Sequence, residues 1–260
     1  MKNIKDFNKS DWPKIEFLFT DIDDTLTNDG LLYPEAYESL WQLHRAGLHV
    51  VPVTGRPAGW CEMIARQWPV SGVIGENGGF YFRYHKSKMH RWYAIPLEER
   101  LKNQDKLSLI QKQVLSDIPQ AAVASDQFCR QLDLAIDFCE DVPKLDPHQV
   151  QKIVTIFKDH GATAKVSSIH VNGWFGKYNK VTTVFEFTKN EFNLSESETL
   201  MKSTFVGDSP NDEPLFENFR LSFGVANILN FKDSLKTTPT YYSNLAGGQG
   251  FQEISKALLD

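Results

Sequence analysis

Short apolar segments that alternate with helical patterns constrain the fold of this chain more than any other feature. Residues 15–19, 48–53 and 72–75 have the length and the largely apolar character of buried strands. Residues 34–47 and 57–68, which lie between them, carry apolar stripes at helical spacing, and each begins at a proline. Strands that alternate with helices of this length predict a parallel sheet with helices packed on its faces.

The pattern changes near residue 80. Residues 80–95 predict two antiparallel strands around a polar turn, and an amphipathic helix follows them. In residues 132–138 apolar and polar side chains alternate, which predicts a half-exposed strand. A second helical stripe and a second alternating segment at residues 169–174 come next. These elements predict a small α+β domain that is inserted into the parallel-sheet domain.

The parallel pattern returns after residue 176 with one more helix, two short strands and a terminal helix. We therefore predict an α/β fold in which residues 1–82 and 176–260 form a Rossmann-like core domain. The inserted α+β domain is predicted at residues 83–175. In this arrangement the insert would hang over the carboxyl ends of the parallel strands.

Composition excludes several classes of function. The chain has 260 residues and a formal net charge of −5, so its surface does not suit nucleic acid or anionic lipid as the main partner. No apolar run reaches the length of about 18 residues that a membrane span needs. The first residues lack the apolar stretch of a secretory signal, and the three cysteines have no CxxC spacing, which is typical of reduced thiols. We expect a cytoplasmic protein whose oligomeric state the sequence does not indicate.

An acidic motif directly follows the first predicted strand. Residues 21–27 read DIDDTLT, so Asp21, Asp23 and Asp24 place three carboxylates close together. Such a cluster is either a solvated acidic turn or a site that a cation neutralises. Mg²⁺ fits the second interpretation, because it takes oxygen ligands and is held by one or two carboxylates together with substrate phosphate.

A second acidic motif favours the metal site. Asp208, Asn211 and Asp212 follow another short apolar strand, and a turn that opens a helix would bring the three side chains toward one point. An ordinary N-capped helix start would use the same residues, and both interpretations can hold together. Because open α/β sheets bind ligands in the crevice at the carboxyl ends of their strands, two acidic loops there predict a metal site.

Two further polar elements are predicted at the same edge of the sheet. Thr54, Gly55 and Arg56 end the second strand and offer a hydroxyl and backbone N–H groups to an anion, although Thr54 could also be a simple helix cap. Lys180 begins the helix that leads to the second acidic motif. A cation at a helix start is disfavoured by the helix dipole, but several carboxylates and a phosphate would require one there.

Together these segments resemble the four sequence motifs of the haloacid dehalogenase superfamily. The matching positions are, in chain order, Asp21–Thr27, Thr54, Lys180 and Asp208–Asp212. The insert stands where this superfamily carries a C2 cap, and its order of elements is similar to the C2B type of subfamily IIB. That type is found in Cof-like, sucrose-phosphatase-like, trehalose-phosphatase-like and mannosyl-3-phosphoglycerate-phosphatase-like hydrolases.

One segment strengthens this resemblance and another departs from it. Residues Glu76–Gly79 resemble the segment with which these hydrolases enter the cap. At the third motif, KYNKV replaces the more usual Lys-Gly pair. Lys177 is therefore an alternative to Lys180, which we prefer because the apolar stripe of the helix begins at Val181.

The resemblance implies a Mg²⁺-dependent phosphatase that hydrolyses phosphomonoesters through an aspartyl-phosphate intermediate. Asp21 would be the nucleophile, and Asp23 would protonate the leaving group and later activate water. Mg²⁺ would be held by Asp21, the main-chain carbonyl of Asp23 and Asp208, with Asn211 and Asp212 in support.

The implied substrate is a small phosphorylated metabolite, either a sugar phosphate or a related compound. Thr54, Gly55 and Lys180 would bind its phosphate. The weaker candidates for contact with the leaving group are Arg56, Asn77, His170 and Asn172. His170 and Asn172 share one face of a predicted strand with Trp174, and that face would otherwise be exposed to solvent.

Two alternative functions stay open. A phosphotransferase or phosphomutase of the same fold would pass the phosphoryl group to an acceptor other than water. A non-catalytic module that senses phosphoryl groups would need no acid for a leaving group, so the carboxylate of Asp23 argues against it.

Overall fold

The structure, a computed structural model, describes residues 1–260 as a mixed α/β protein. Its strands are, in chain order, β1 (Lys2–Asn3), β2 (Phe17–Thr20), β3 (His49–Pro52), β4 (Val73–Gly75), β5 (Phe80–His85), β6 (Lys88–Tyr93), β7 (Ala122–Val123), β8 (Asp133–Asp137), β9 (Thr163–Val166), β10 (His170–Trp174), β11 (Ser203–Gly207), β12 (Ser222–Gly224) and β13 (Tyr241–Tyr242). Its helices are α1 (Pro34–Arg45), α2 (Ala58–Gln67), α3 (Leu97–Asp117), α4 (Pro147–Asp159), α5 (Lys180–Phe192), α6 (Glu196–Lys202), α7 (Glu213–Asn218) and α8 (Gly247–Leu259). None of these helices is both long enough and apolar enough to cross a membrane.

The strands of the central sheet are all parallel. Six strands are hydrogen-bonded in the order β1-β13-β12-β11-β2-β3. Leu18 of β2 packs on one face together with α1 and α8, whereas Phe17 and Phe19 pack on the other face with α5 and α7. A sheet that is covered on both faces favours continuous apolar strands, as the sequence predicts. The predicted Rossmann-like parallel core is confirmed.

The hairpin of β5 and β6 packs on this core. β4, β5 and β6 form an antiparallel sheet of their own. A bridge between Val53 and Ile74 connects that sheet to the edge of the parallel one. Phe80 and Phe82 belong to the buried cluster that covers one face of the parallel sheet. The sequence-based boundary at residue 83 falls inside β5, because a strand pattern does not indicate which neighbour the hairpin packs against.

The rest of the insert builds its own hydrophobic core. Its strands form an antiparallel sheet in the order β7-β8-β10-β9. The predicted apolar stripes of α3 and α4 meet on one face of this sheet in a cluster that includes Leu107, Ile110, Val114, Ile153 and Phe157. This cluster is separate from the two that cover the parallel sheet. The chain therefore forms two compact units.

The prediction that β8 is half-exposed is wrong. All five of its residues are buried, although its apolar and polar side chains alternate. Leu134 and Ile136 pack against α3 and α4, whereas Asp133 and Asp137 belong to the opposite face. Arg130 donates to the carboxylate of Asp133, and backbone N–H groups of the following loop donate to that of Asp137. The alternation thus marks a polar face that is covered by protein.

Removal of the Phe157 side chain is expected to destabilise the insert. Phe157 is completely buried in the cluster between α3 and α4. Phe157→Ala should lower the free energy of unfolding by about 3–5 kcal/mol in urea denaturation, because it leaves a cavity. Phe128→Ala is the control, since Phe128 is 89% exposed and its truncation should change stability by less than about 0.5 kcal/mol. Equal effects of the two substitutions would contradict this packing.

Candidate active site

Three loops at one edge of the parallel sheet carry the predicted site residues. Asp21 follows β2, Thr54 lies just after β3, and Asp208 follows β11. Because β2 pairs with both other strands, the carboxyl ends of all three are neighbours. The N–H of Asp21 donates to the carbonyl of Val206 at 2.9 Å, which extends the sheet pairing into the site.

Three buried carboxylates converge at this edge. Oxygen atoms of Asp21, Asp208 and Asp212 lie within 4.8 Å of one another. A 3₁₀ turn at Pro210–Asp212 brings Asp212 back, so that its carboxylate accepts the N–H of Asp208 at 3.2 Å. A side chain at Gly207 would collide with the carboxylate of Asp212. The spacing of the second acidic motif therefore produces one compact cluster.

Lys180 lies inside this cluster. Its Nζ donates to Oδ1 of Asp21 at 3.0 Å and to Oδ1 of Asp212 at 2.9 Å. A capping box at Asn179 starts α5, so Lys180 is the first residue of the helix and points to the sheet edge. Lys177, the alternative from the sequence, is exposed. The only cation in contact with the cluster thus bridges the two acidic motifs.

The electrostatics of the cluster favour a bound cation. Burial raises the pKa of Asp21 to about 8, against the opposing effect of Lys180. Burial and the neighbouring Asp212 raise the pKa of Asp208 well above its ordinary value. Burial alone would lower the pKa of Lys180, but its two carboxylate partners raise it. Three carboxylates share one ammonium, and an all-oxygen donor set of this kind fits Mg²⁺.

Asp23 is held by Arg56. Nε and Nη2 of Arg56 donate to its carboxylate at distances of 2.8–3.1 Å. Arg56 is buried, and its guanidinium carbon lies 4.4 Å from the ring centroid of Trp60. The N–H of Arg56 also donates to the hydroxyl of Thr54 at 3.0 Å. The contact of Nε and Nη2 of Arg56 with Asp23 fixes the orientation of the Asp23 carboxylate.

A small cavity lies between these loops and the insert. Its volume is about 20 Å³, which is room for about one water molecule. The parallel-sheet unit contributes Asp21, Asp23, Gly55, Arg56, Asn77, Asp208, Ser209 and Asn211 to its wall. The insert contributes Arg130, Ser167, Ser168, Ile169, His170 and Asn172. Of the predicted site residues, Thr54, Lys180 and Asp212 do not line the cavity.

Glu140 of the insert joins this arrangement, although no sequence motif marks it. Its Oε1 accepts hydrogen bonds from both terminal nitrogens of Arg56 at 3.2 Å. Its Oε2 lies 2.9 Å from Nε2 of His170. The contact with His170, together with the charge of Arg56, lowers the pKa of Glu140 to about 2. Arg56 therefore connects a carboxylate of the parallel-sheet unit with one of the insert.

Arg130 makes a second connection between the two units. Its Nε and Nη2 donate to Asp126 at 2.9 and 3.2 Å, and its Nη1 donates to Asp133 at 3.0 Å. The same Nη1 donates to the carbonyl of Gly55 at 3.0 Å. Asn172 donates to the other oxygen of Asp133 at 3.0 Å. The wall that the insert presents to the cavity is thus fixed by charged hydrogen bonds.

Asn77 presents a buried donor without a partner. Its backbone is left-handed, with φ at 56°. Its Nδ2 is buried and makes no hydrogen bond, and the residue lines the cavity. Buried unpaired donors are rare, and strained backbone at non-glycine residues is often found at functional sites. The amide of Asn77 is therefore available to an acceptor in the cavity.

Residues 18–124 match the sequence model that describes haloacid dehalogenase-like hydrolases. The matched segment includes the first two predicted motifs and Glu76–Gly79. Over this segment the chain is similar to the haloacid dehalogenase-like hydrolases. No curated protein has a matching sequence.

Solved structures resemble this chain over nearly its whole length. A Thermoplasma acidophilum protein has 20% identity and a TM-score of 0.73, with 95% of this chain and 100% of that chain covered. The sucrose-phosphatase from Synechocystis sp. PCC6803, in complex with sucrose and phosphate, has 16% identity and a TM-score of 0.64, with 95% and 98% covered. A subclass IIB sugar phosphatase has 15% identity and a TM-score of 0.62, with 94% and 97% covered. At these identities the likeness shows a shared fold.

Trp174 does not reach the cavity. Its ring stacks on Tyr178 with centroids 5.8 Å apart, and it is buried in the cluster of the parallel-sheet unit. The sequence-based grouping of Trp174 with His170 and Asn172 as contacts for a leaving group is therefore wrong for the tryptophan. Alternation assigns the three to one face of β10, but Trp174 is the last residue of that strand, where the chain returns to the parallel-sheet unit.

Glu76 anchors the insert to the parallel-sheet unit. The completely buried carboxylate accepts the N–H groups of Ala58, Gln131, Leu132 and Asp133 at 2.6–3.3 Å. Burial, with a further effect of Asp133, raises the pKa of Glu76 to about 8. Its role as an anchor follows from the contacts it makes to both units.

Glu76→Ala is expected to destabilise the protein, because it leaves several buried N–H groups without an acceptor. The free energy of unfolding in urea should fall by about 3 kcal/mol. Glu62→Ala is the matched control, since Glu62 pairs with Arg66 and Arg91 at the surface and surface ion pairs contribute less than about 1 kcal/mol. A loss no greater than that of the control would contradict the anchoring role.

Proposed function

We propose that this hydrolase is a Mg²⁺-dependent phosphatase that acts on a small phosphorylated metabolite, a sugar phosphate or a related compound. The observation that carries the proposal is the convergence of Asp21, Asp208, Asp212 and Lys180 below a polar cavity at the carboxyl edge of the sheet. Structural neighbours named as sucrose-phosphatase and sugar phosphatase support the same class of reaction.

Asp21 and Asp23 have complementary places in this reaction. The carboxylate of Asp21 would attack phosphorus, and the bond from phosphorus to the leaving oxygen would break as Asp23 donates a proton to that oxygen. In the second step Asp23 would take a proton from a water molecule that hydrolyses the aspartyl phosphate. Arg56 holds the carboxylate of Asp23 at the wall of the cavity, which Asp21 also lines, so Asp23 would lie close to the leaving oxygen and to the attacking water.

The other polar residues would bind the ion and the phosphate. Mg²⁺, when bound, would offset the repulsion between the carboxylates and the substrate phosphate. We assign it to Asp21, the main-chain carbonyl of Asp23 and Asp208, with Asn211 and Asp212 in support. We assign the phosphate oxygens to Thr54, Gly55 and Lys180. The ammonium of Lys180 contacts the carboxylate of Asp21, so a phosphoryl group attached there would lie near the ammonium, which would offset the charge of its oxygens.

The insert would act as a cap over the leaving group. The candidates for contact with it are Arg56, Asn77, His170 and Asn172, and all four line the cavity. Because the cavity holds about one water molecule, a substrate would enter only when the cap moves away from the sheet edge. The sequence places the core domain at residues 1–82 and 176–260 and the cap at 83–175. Because the hairpin β5–β6 packs on the core, we propose that the part of the cap that moves begins after Tyr93.

Substitution of the two aspartates should separate their roles. Asp21→Asn should abolish phosphate release from an aryl phosphate, because an amide is a poor nucleophile. Asp23→Asn should slow release by about 10²–10⁴-fold, the usual size of an acid–base contribution. Asp24→Asn is the control in the same motif and should stay near the wild-type rate. A wild-type rate for Asp21→Asn would contradict the proposed mechanism.

Metal removal gives a second test with two measurements. Chelation and dialysis should abolish phosphate release, and added Mg²⁺ should restore it. Mg²⁺ should also raise the melting temperature of the wild-type protein, because a ligand that binds only the folded state stabilises it. In Asp208→Asn this thermal shift should be lost. Full activity in excess chelator, or an equal shift in the variant, would rule out the assigned ion site.

A further inference from the structure

Arg56 stands beside the place where the leaving group would lie, and its donors are already taken. Nε and Nη2 hold Asp23, while Nη1 and Nη2 hold Glu140 at 3.2 Å. Nη1 also lies 3.8 Å from a carboxylate oxygen of Asp126. A buried arginine without partners would be a strong binder of carboxylates, because its planar group can donate two parallel hydrogen bonds. Glu140 occupies that position here.

The loop that presents Glu140 is built for this contact. Asp137, at the end of β8, is buried, and its carboxylate accepts the N–H groups of Cys139, Glu140 and Asp141 at 2.8–2.9 Å. Three hydrogen bonds to one side chain fix the backbone that carries Glu140. Its carboxylate is therefore held in place even though 29% of the side chain is exposed.

The other cations near the cavity are committed in the same way. Arg130 is paired with Asp126 and Asp133, and Lys180 is paired with the acidic cluster. Lys165 lies opposite Asn172 on the edge strand β9, but it is exposed and does not line the cavity. The two guanidinium groups that line the cavity, Arg56 and Arg130, are thus paired with four carboxylates, of which only that of Asp23 lines the cavity. The four are Asp23, Asp126, Asp133 and Glu140.

We infer that Glu140 determines specificity, because it occupies Arg56 and thereby excludes leaving groups that carry a negative charge. The preferred substrates are then phosphomonoesters of uncharged, hydroxyl-bearing compounds, for which the unpaired Nδ2 of Asn77 offers a donor. An anionic leaving group would have to displace the carboxylate of Glu140 from Arg56 and would lie next to the carboxylate of Asp23. This inference rests on the proposed phosphatase activity and goes beyond it.

A matched pair of small esters tests the inference on the wild-type protein. Phosphoglycolate and 2-hydroxyethyl phosphate have similar size, but only the first carries a carboxylate on its leaving group. With Mg²⁺ present, kcat/KM measured by phosphate release should be at least about tenfold higher for 2-hydroxyethyl phosphate, since one charged hydrogen bond has that effect or more. An equal or higher value for phosphoglycolate would overturn the inference.

Substitution of Glu140 tests whether this residue is responsible for the selectivity against a charged leaving group. Glu140→Ala should raise kcat/KM for phosphoglycolate relative to 2-hydroxyethyl phosphate by about tenfold, because it frees one side of Arg56. Asp141→Ala is the control, since Asp141 is exposed, lies in the same loop and loses the same charge. It should leave the ratio unchanged. An unchanged ratio in Glu140→Ala would overturn the role of Glu140. The same rise in both variants would assign the selectivity to the loss of one negative charge in this loop and would also overturn that role.

The two proposals fail in different ways. Absence of phosphate release from both esters and from an aryl phosphate would contradict the proposed phosphatase function, and the specificity inference would fall with it. Release from the aryl phosphate together with a preference for phosphoglycolate would contradict the inference alone. A thermal melt of each variant shows whether it folds. If Glu140→Ala does not fold, the comparison of the two esters on the wild-type protein still tests whether a charged leaving group is excluded.

Discussion

The ion pairs of Lys180 with Asp21 and Asp212 are the interaction on which the rest of the site depends. They join the loop after β2, the loop after β11 and the start of α5 at one buried point. A buried carboxylate without a partner is strongly destabilising, so the chain that returns from the insert must place an ammonium here. One ammonium faces three carboxylates at this edge of the sheet, and this imbalance is the basis of the proposed Mg²⁺ site.

Around the cavity the two units are held together by contacts of a different kind from those that stabilise each of them, although Leu132 and Trp174 of the insert also pack in the apolar cluster of the parallel-sheet unit. Each unit has its own apolar cluster. Around the cavity the contacts between the units are hydrogen bonds and ion pairs made by Glu76, Arg56 and Arg130. Hydrogen bonds of this kind can be exchanged for water at a small net cost, whereas exposure of an apolar cluster has a large cost. The interface at the cavity is therefore the natural place for the molecule to open.

Local sequence patterns predict the parallel strands and the motif residues, because these depend on short segments that follow buried strands. Asp21, Thr54 and Asp208 lie together at one sheet edge for this reason. Three features depend on how the two units dock, and no local pattern encodes that. They are the unit against which the hairpin β5–β6 packs, the burial of β8 and the position of Glu140. The strands β1 and β13 have two residues each and are too short for any periodic pattern.

The docking contact and the selection of substrate depend on the same arginine. With the cap closed, Arg56 holds Asp23 on one side and Glu140 on the other, so closure places the cap carboxylate next to the proposed acid. A leaving group without charge leaves this contact intact, and the cap can then close and exclude water from the reacting atoms. A leaving group with a carboxylate competes with Glu140 for Arg56 and so weakens the contact that favours the closed cap. Discrimination would then appear as incomplete closure in addition to weak binding, because one ion pair has both roles.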